Sequence, residues 1–243
     1  MRRIYKGAFV LLLCVFWVGS ALADRAANVR RIDGLEIPSH SDSQRQCLVG
    51  NLNEPVYTVE GWFTAQEEYS YAFTAQDCCD IGYTIQAVHI VMNFEEDALY
   101  PFEEFDIYAY LEKAVWDEGT QCWVPGDEEC SSDVAFFNVD SPGILDLAVP
   151  IDDCDCAGVH DPAGAPLVYM ATLYFPLPFD ADIVTDDAPV GCTSWGDWGY
   201  GWVDLTTVPN ISGEIIMYAE VECCDTPVST VDLPWGGLKK FYR

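Results

Sequence analysis

The chain has 243 residues, half of them apolar, and carries 40 Asp and Glu against 11 Lys and Arg, a formal net charge of −29. That apolar share supports a sizeable core, in one large domain or two small ones. The charge excludes nucleic acid as a partner, because a phosphate backbone needs a basic footprint.

The chain begins MRRIYKGAFVLLLCVFWVGSALADR. Arg2, Arg3 and Lys6 precede an apolar run from Ala8 to Val18, and Ala21-Leu22-Ala23 supplies a small-x-small cleavage site. This pattern predicts a secretory signal peptide over residues 1–23, cut after Ala23. The run is too short to span a bilayer comfortably, and no later segment is apolar for long enough, so no transmembrane helix is expected in the mature chain. Cys14 lies inside the apolar run behind Leu13, where a lipoprotein would need a small residue. Residues 24–45 are polar and arginine-containing, and read as a leader or linker.

Residues 46–225 are expected to form the folded domain. Its apolar pattern has period two. The first strand candidates are 56–63 and YSYAFTA (69–75). TIQAVHIVMNF (84–94) follows, apolar on both faces as a central strand would be. In FDIYAYLEKAV (105–115), Phe105, Ile107, Ala109 and Leu111 alternate with Asp106, Tyr108, Tyr110 and Glu112. Candidates 134–139, 144–149, LVYMATLYF (167–175) and 200–206 come next. EIIMYAEVE (214–222) closes the domain with Ile215, Met217, Ala219 and Val221 on one face. Short strands separated by Pro, Gly, Asp and Asn predict an all-β, antiparallel, disulfide-rich β-sandwich, jelly-roll-like, with an immunoglobulin-like arrangement as the alternative.

Without Cys14 there remain Cys47, Cys78, Cys79, Cys122, Cys130, Cys154, Cys156, Cys192, Cys223 and Cys224. An even number in an exported chain reads as five disulfides. Zinc is disfavoured: there is no C-x-x-C, and His40, His89 and His160 lack zinc-ligand spacing. Neighbours in a strand point to opposite faces. Cys78-Cys79 and Cys223-Cys224 are therefore each expected to reach two partners, with a bridge between the two pairs as one option. Cys122 and Cys130 bracket WVPGDEE, whose Pro125-Gly126 suggests a turn and a local clasp.

Two stretches could carry chemistry. IDDCDCAGVHD offers Asp152, Asp153, Asp155 and Asp161, and clustered carboxylates at strand ends can supply the oxygens that calcium takes. NFEEDALYPFEEFD and FDADIVTDD are similar Asp/Glu-rich loops. The competing readings are a solvated acidic surface and adaptation to a salty habitat. GCTSWGDWGYGW places Trp195, Asp197, Trp198 and Tyr200 among glycines. Exposed indoles beside a carboxylate make a platform for a sugar ring. The competing reading is that these rings cap the core, as Trp202 is expected to do. His89 reads as a satisfied core histidine, and His160 beside Asp161 as a weak metal or hydrogen-bonding candidate. No Gly-x-Ser-x-Gly, His-Glu-x-x-His or phosphate loop appears, so no catalytic residue is assigned.

Residues 226–243 form a tether and a basic, aromatic tail. Trp235-Gly236-x-Leu238-Lys239-x-x-Tyr242-Arg243 resembles the short W-G-x-[I/L]-K-x-x-[Y/F]-R endings of many exported proteins from poorly characterised bacterial lineages. The strand-rich, disulfide-rich body also resembles uncharacterised secreted β-sandwich proteins of those lineages. The resemblance implies that export or sorting machinery reads the tail and that the protein is secreted or held at the cell surface. The leading expectation is a non-enzymatic extracellular binding protein for a glycan or other cell-surface component, with calcium as its one candidate cofactor. A structural subunit of an extracellular layer or fibre is the first alternative, and a secreted hydrolase the second.

Overall fold

The computed structural model describes residues 28–31, 46–60, 66–95, 103–139, 142–152, 154–177, 181–209 and 211–224. The expected signal peptide and the tail residues Trp235 to Arg243 lie outside them.

Two antiparallel sheets face each other. The first runs β1 (Asn28–Arg31), β3 (Tyr57–Glu60), β12 (Asp182–Thr185), β5 (Gly82–Phe94), β15 (Met217–Cys224) and β2 (Gln46–Gly50), with β9 (Gly143–Pro150) and β10 (Ala157–Gly158) also paired to β5. The second runs β14 (Val203–Asp204), β13 (Ser194–Asp197), β4 (Glu67–Phe73), β11 (Tyr169–Phe175), β6 (Glu103–Asp117) and β7 (Cys122–Ser131), with β8 (Ala135–Val139) paired to β6. From β3 to β6, and again from β10 to β13, each strand lies in the sheet opposite its predecessor. That crossing habit is jelly-roll-like. Among the described residues no helix is long and apolar enough to cross a membrane.

The alternation in the sequence explains which face turns inward. Phe105, Ile107, Ala109 and Leu111 of β6 are buried against Tyr169, Ala171, Leu173 and Phe175 of β11 and Met217, Ala219 and Val221 of β15 in one core between the sheets. β5 and β11 are apolar on both faces for a second reason. Each outer face carries its own small cluster: Val91, Val184, Ile216 and Tyr218 on the first sheet, and Ala114, Cys122, Met170 and Trp195 on the second.

Three expectations change. The leader contributes a strand, since Asn28–Arg31 pairs with β3. WVPGDEE is not a turn but the body of β7, and Pro125-Gly126 sits where the register with β6 shifts between Lys113 and Val115. Proline gives no N–H to a ladder and glycine lets backbones approach, which is how a bulge is made. A Cβ on Gly126 would lie 2.3 Å from the Lys113 carbonyl oxygen. The Cys122–Cys130 clasp is therefore excluded, because eight residues of strand separate the two by roughly 25 Å.

The ten cysteines instead form Cys47–Cys78, Cys79–Cys223, Cys122–Cys192, Cys130–Cys154 and Cys156–Cys224. Cys78-Cys79 and Cys223-Cys224 share one bridge, and each pair sends its other cysteine elsewhere: Cys223 and Cys224 as opposite-facing neighbours on β15, Cys78 and Cys79 from the turned segment after β4. Three bridges thus gather at the C-terminal end of β15.

Candidate functional site

Carboxylates at the strand ends turn out to be building material. Asp186 is 1% exposed, with Oδ1 accepting from the backbone N–H groups of Glu214 (2.7 Å) and Ala188 (3.0 Å) and Oδ2 from the side-chain amides of Asn51 (3.1 Å) and Asn53 (2.6 Å). Glu214 accepts from Val190 N at 2.6 Å and from the Ser194 hydroxyl. Asp161 closes its own turn, accepting from Ala163 N and Ala165 N at 2.9 and 2.8 Å. Asp152 and Asp155 are exposed, and Asp153 lies outside the described residues. Among the described residues, the groups of three or more His, Cys, Asp or Glu ligand atoms within 4.8 Å of one another are built on disulfide cysteines, and none includes Asp152, Asp155 or Asp161. His160 is exposed and bridges Pro166 through its backbone.

The expected tryptophan platform is also dispersed. Trp195 lies on β13, 1% exposed, under Met170, Ala114 and the Cys122–Cys192 bridge. It is a core side chain and not an exposed indole. Trp198 packs on the inter-sheet core and donates its Nε1–H to Tyr69 Oη at 3.2 Å. Asp197 Oδ1 accepts from the backbone N–H groups of Gly199, Tyr200 and Gly201 at 2.7, 3.1 and 3.0 Å, which closes the turn after β13. Gly199 and Gly201 have φ of +84° and +98° and make that turn possible. Of the four, Tyr200 alone is fully displayed, 78% exposed at the turn tip. Trp202 is half-buried against the Trp195 cluster.

A better candidate lies on the outer face of the second sheet. The side chains that alternate with the core residues are Tyr108, Tyr110 and Glu112 on β6, Thr172 and Tyr174 on β11, Glu68 and Ser70 on β4, and Asp197 on β13. The register aligns Asp197, Glu68, Tyr174 and Tyr108 in one row across four strands. The next row is Trp195, Ser70, Thr172 and Tyr110. Tyr108 and Tyr174 lie side by side, their centroids 6.1 Å apart at 43°. All three tyrosines, Glu68, Glu112 and Asp197 are half-buried. Buried Thr172 holds the floor: its Oγ1 is 2.8 Å from Ser70 Oγ and donates to Glu112 Oε2.

The electrostatics follow from crowding acids on a partly dry surface. Burial pushes the Glu112 carboxyl up to about 7, with Glu68 and Glu128 adding to the rise and the Thr172 hydrogen bond opposing it. Burial and then Asp197 raise Glu68. Burial and the neighbouring Glu68 and Glu128 push Tyr110 up to about 12. At neutral pH the Tyr110 hydroxyl therefore keeps a proton to donate, and the Glu112 carboxyl is divided between its protonated and ionised forms.

Glu112 also makes stability depend on pH. Its folded value lies above the ordinary 4.5, so the folded state binds the extra proton between about 4.5 and 7. Stability should fall as pH rises through that window. Glu112→Gln should remove part of the fall and be the more stable form above it, which urea unfolding at several pH values measures. Equal pH slopes for the two proteins would contradict this.

One further display was not foreseen. Trp116 and Trp123 pair across the β6–β7 hairpin with centroids 5.5 Å apart at 71°, 44% and 39% exposed. Their partnership depends on the β6–β7 register, which the supposed turn at Pro125-Gly126 concealed.

No protein-family model, curated protein or solved structure matches the chain.

Proposed function

We propose that this is an exported glycan-binding protein whose site is the tyrosine–carboxylate face of the second sheet. The observation that carries the reading is the four-strand row of Asp197, Glu68, Tyr174 and Tyr108 beside Tyr110 and Glu112. Half-buried tyrosine rings offer apolar area with a polar tip. Carboxylates beside them accept hydrogen bonds from sugar hydroxyls. The ligand is a neutral glycan, because the same carboxylates repel sulfate and uronate. Lys113 is the one basic residue between Gln46 and Leu238 to offset them. Export is supported by five disulfides, which suit an oxidising compartment. The tail Trp235 to Arg243 adds sorting to the cell surface, on the strength of its resemblance.

A glycan array of neutral and anionic sugars tests this, run in calcium and again in EDTA. The expected result is binding to neutral glycans in both conditions, lost in Tyr108→Ala/Tyr174→Ala and kept in Trp116→Ala. Loss in EDTA would restore a calcium-assisted site, and loss in Trp116→Ala alone would move the site to the hairpin. Glu112, held near 7, favours one second reading, glycoside hydrolysis with Glu112 as the acid. New reducing ends released from a bound glycan would establish it.

A further inference from the structure

The β6–β7 hairpin carries its two exposed indoles on one identifiable side. Cys122 and Val124 pack in the outer cluster of the second sheet, so Trp123 between them points the other way. Trp116 pairs with Trp123 in register and in ring contact, and shares that side. The bulge between Lys113 and Val115 makes the switch. Before it Tyr108, Tyr110 and Glu112 face outward; after it Trp116 faces the core side. The indole pair is therefore on the opposite side of the sheet from the tyrosine face. Neither ring joins any of the three buried clusters, and 44% and 39% of the two side chains stay exposed.

Position and charge say what fits there. Cys224 ends β15 opposite Gly82. Tyr83, the next residue of β5, meets Tyr169 with centroids 5.6 Å apart, and Tyr169 pairs with Lys113. Trp116 lies three residues beyond Lys113, about 10 Å further along β6. The chain thus leaves the sandwich at the end where the indoles stand. Residues 225–234 then separate Cys224 from Trp235 and can reach about 33 Å. Around the indoles the hairpin is acidic. Glu118 is exposed at its tip, and Asp127 and Glu129 are exposed on β7. Glu129 is on the indole side, because burial and then Glu129 push the core-facing Tyr169 up to about 12. Lys113 sits across from Asp127 and offsets that one charge.

We propose that the core side of the β6–β7 hairpin docks the chain's own tail, Trp235 to Arg243, with Trp116 and Trp123 as anchors. The tail carries the complement of the surface. Lys239, Lys240 and Arg243 suit indole faces and the carboxylates beside them, and Trp235, Phe241 and Tyr242 supply apolar area for the rings. Docking hides the tail, so any machinery that reads it must first compete it off the hairpin. The contact stands whether or not sorting machinery reads the tail, and whether or not the tyrosine face binds glycans. Local sequence does not announce it, because the indoles meet only through the β6–β7 register and turn inward only through its bulge.

The test is zero-length carbodiimide cross-linking of the full, disulfide-bonded chain with its tail intact, in dilute solution at low salt, followed by peptide mapping of the monomer. The reagent joins an amine to a carboxylate in contact with it. The expected result is Lys239 or Lys240 joined chiefly to Glu118, Asp127 or Glu129. Trp116→Ala/Trp123→Ala keeps every charge and should lower that yield about fivefold. Trp235→Ala/Phe241→Ala/Arg243→Ala should lower it similarly. It keeps both lysines and leaves the body untouched, so the answer does not depend on how the hairpin variant folds. Links scattered over the acidic surface without preference, or an unchanged yield in both variants, would overturn the proposal. So would links found only between isotope-labelled and unlabelled chains in a mixture, which would assign the surface to a second copy.

Discussion

Replacing Cys79 and Cys223 together by alanine should lower the unfolding free energy by about 4 kcal/mol. This bridge closes the longest loop of the five, 144 residues, and ties the segment after β4 to the end of β15. Chain entropy makes the unfolded state more accessible when so long a loop is released. The effect is reduced below the free-chain figure because Cys156–Cys224 still holds the adjacent position. Removing Cys130–Cys154, with a separation of 24, should cost less, about 3 kcal/mol. Urea unfolding of the two double variants measures the difference. A loss well below 1 kcal/mol on removing Cys79–Cys223 would mean that its neighbour already closes the loop.

Trp195→Ala should cost about 3–5 kcal/mol, the range for truncating a fully buried large aromatic. Trp195 packs with Met170, Ala114 and the Cys122–Cys192 bridge, so its truncation removes the largest side chain of that cluster. Trp195→Phe should cost much less. It keeps a ring in place and removes an indole N–H that has no partner among the described residues. The pair of variants separates a core role from a binding role: both should retain glycan binding at temperatures where they remain folded. Loss of binding in a folded Trp195→Phe, at unchanged stability, would return this residue to the site.

The fold was legible where the period-two pattern is strong. β6 and β15 place their inward residues as the alternation requires, and the double apolar faces of β5 and β11 reflect the outer clusters. Strands were missed where a backbone demand overrode the pattern. β13 was concealed by glycine, yet Gly196 is there because a Cβ would meet Leu205 Cδ2 at 2.9 Å. β12 was concealed among acids, yet Asp182 is buried and accepts from Asn93 Nδ2 at 3.0 Å. β7 was concealed by its own bulge.

The candidate site was visible only in fragments. Tyr108, Tyr110 and Glu112 were readable as the polar half of one strand. Their meeting with Tyr174, Glu68 and Asp197 depends on the registers of four strands far apart in sequence. Composition drew attention to the tryptophan- and aspartate-rich loops instead. Of those residues, Asp161, Asp186 and Asp197 close turns at the strand ends, while Trp195 and Trp198 pack into the core.

The most direct measurement is an NMR titration of the tyrosine ring signals with a neutral oligosaccharide, in EDTA. The account predicts saturable shifts at Tyr108, Tyr110 and Tyr174, with Tyr200 unmoved. Shifts confined to Tyr200, or none at saturating sugar, would contradict it.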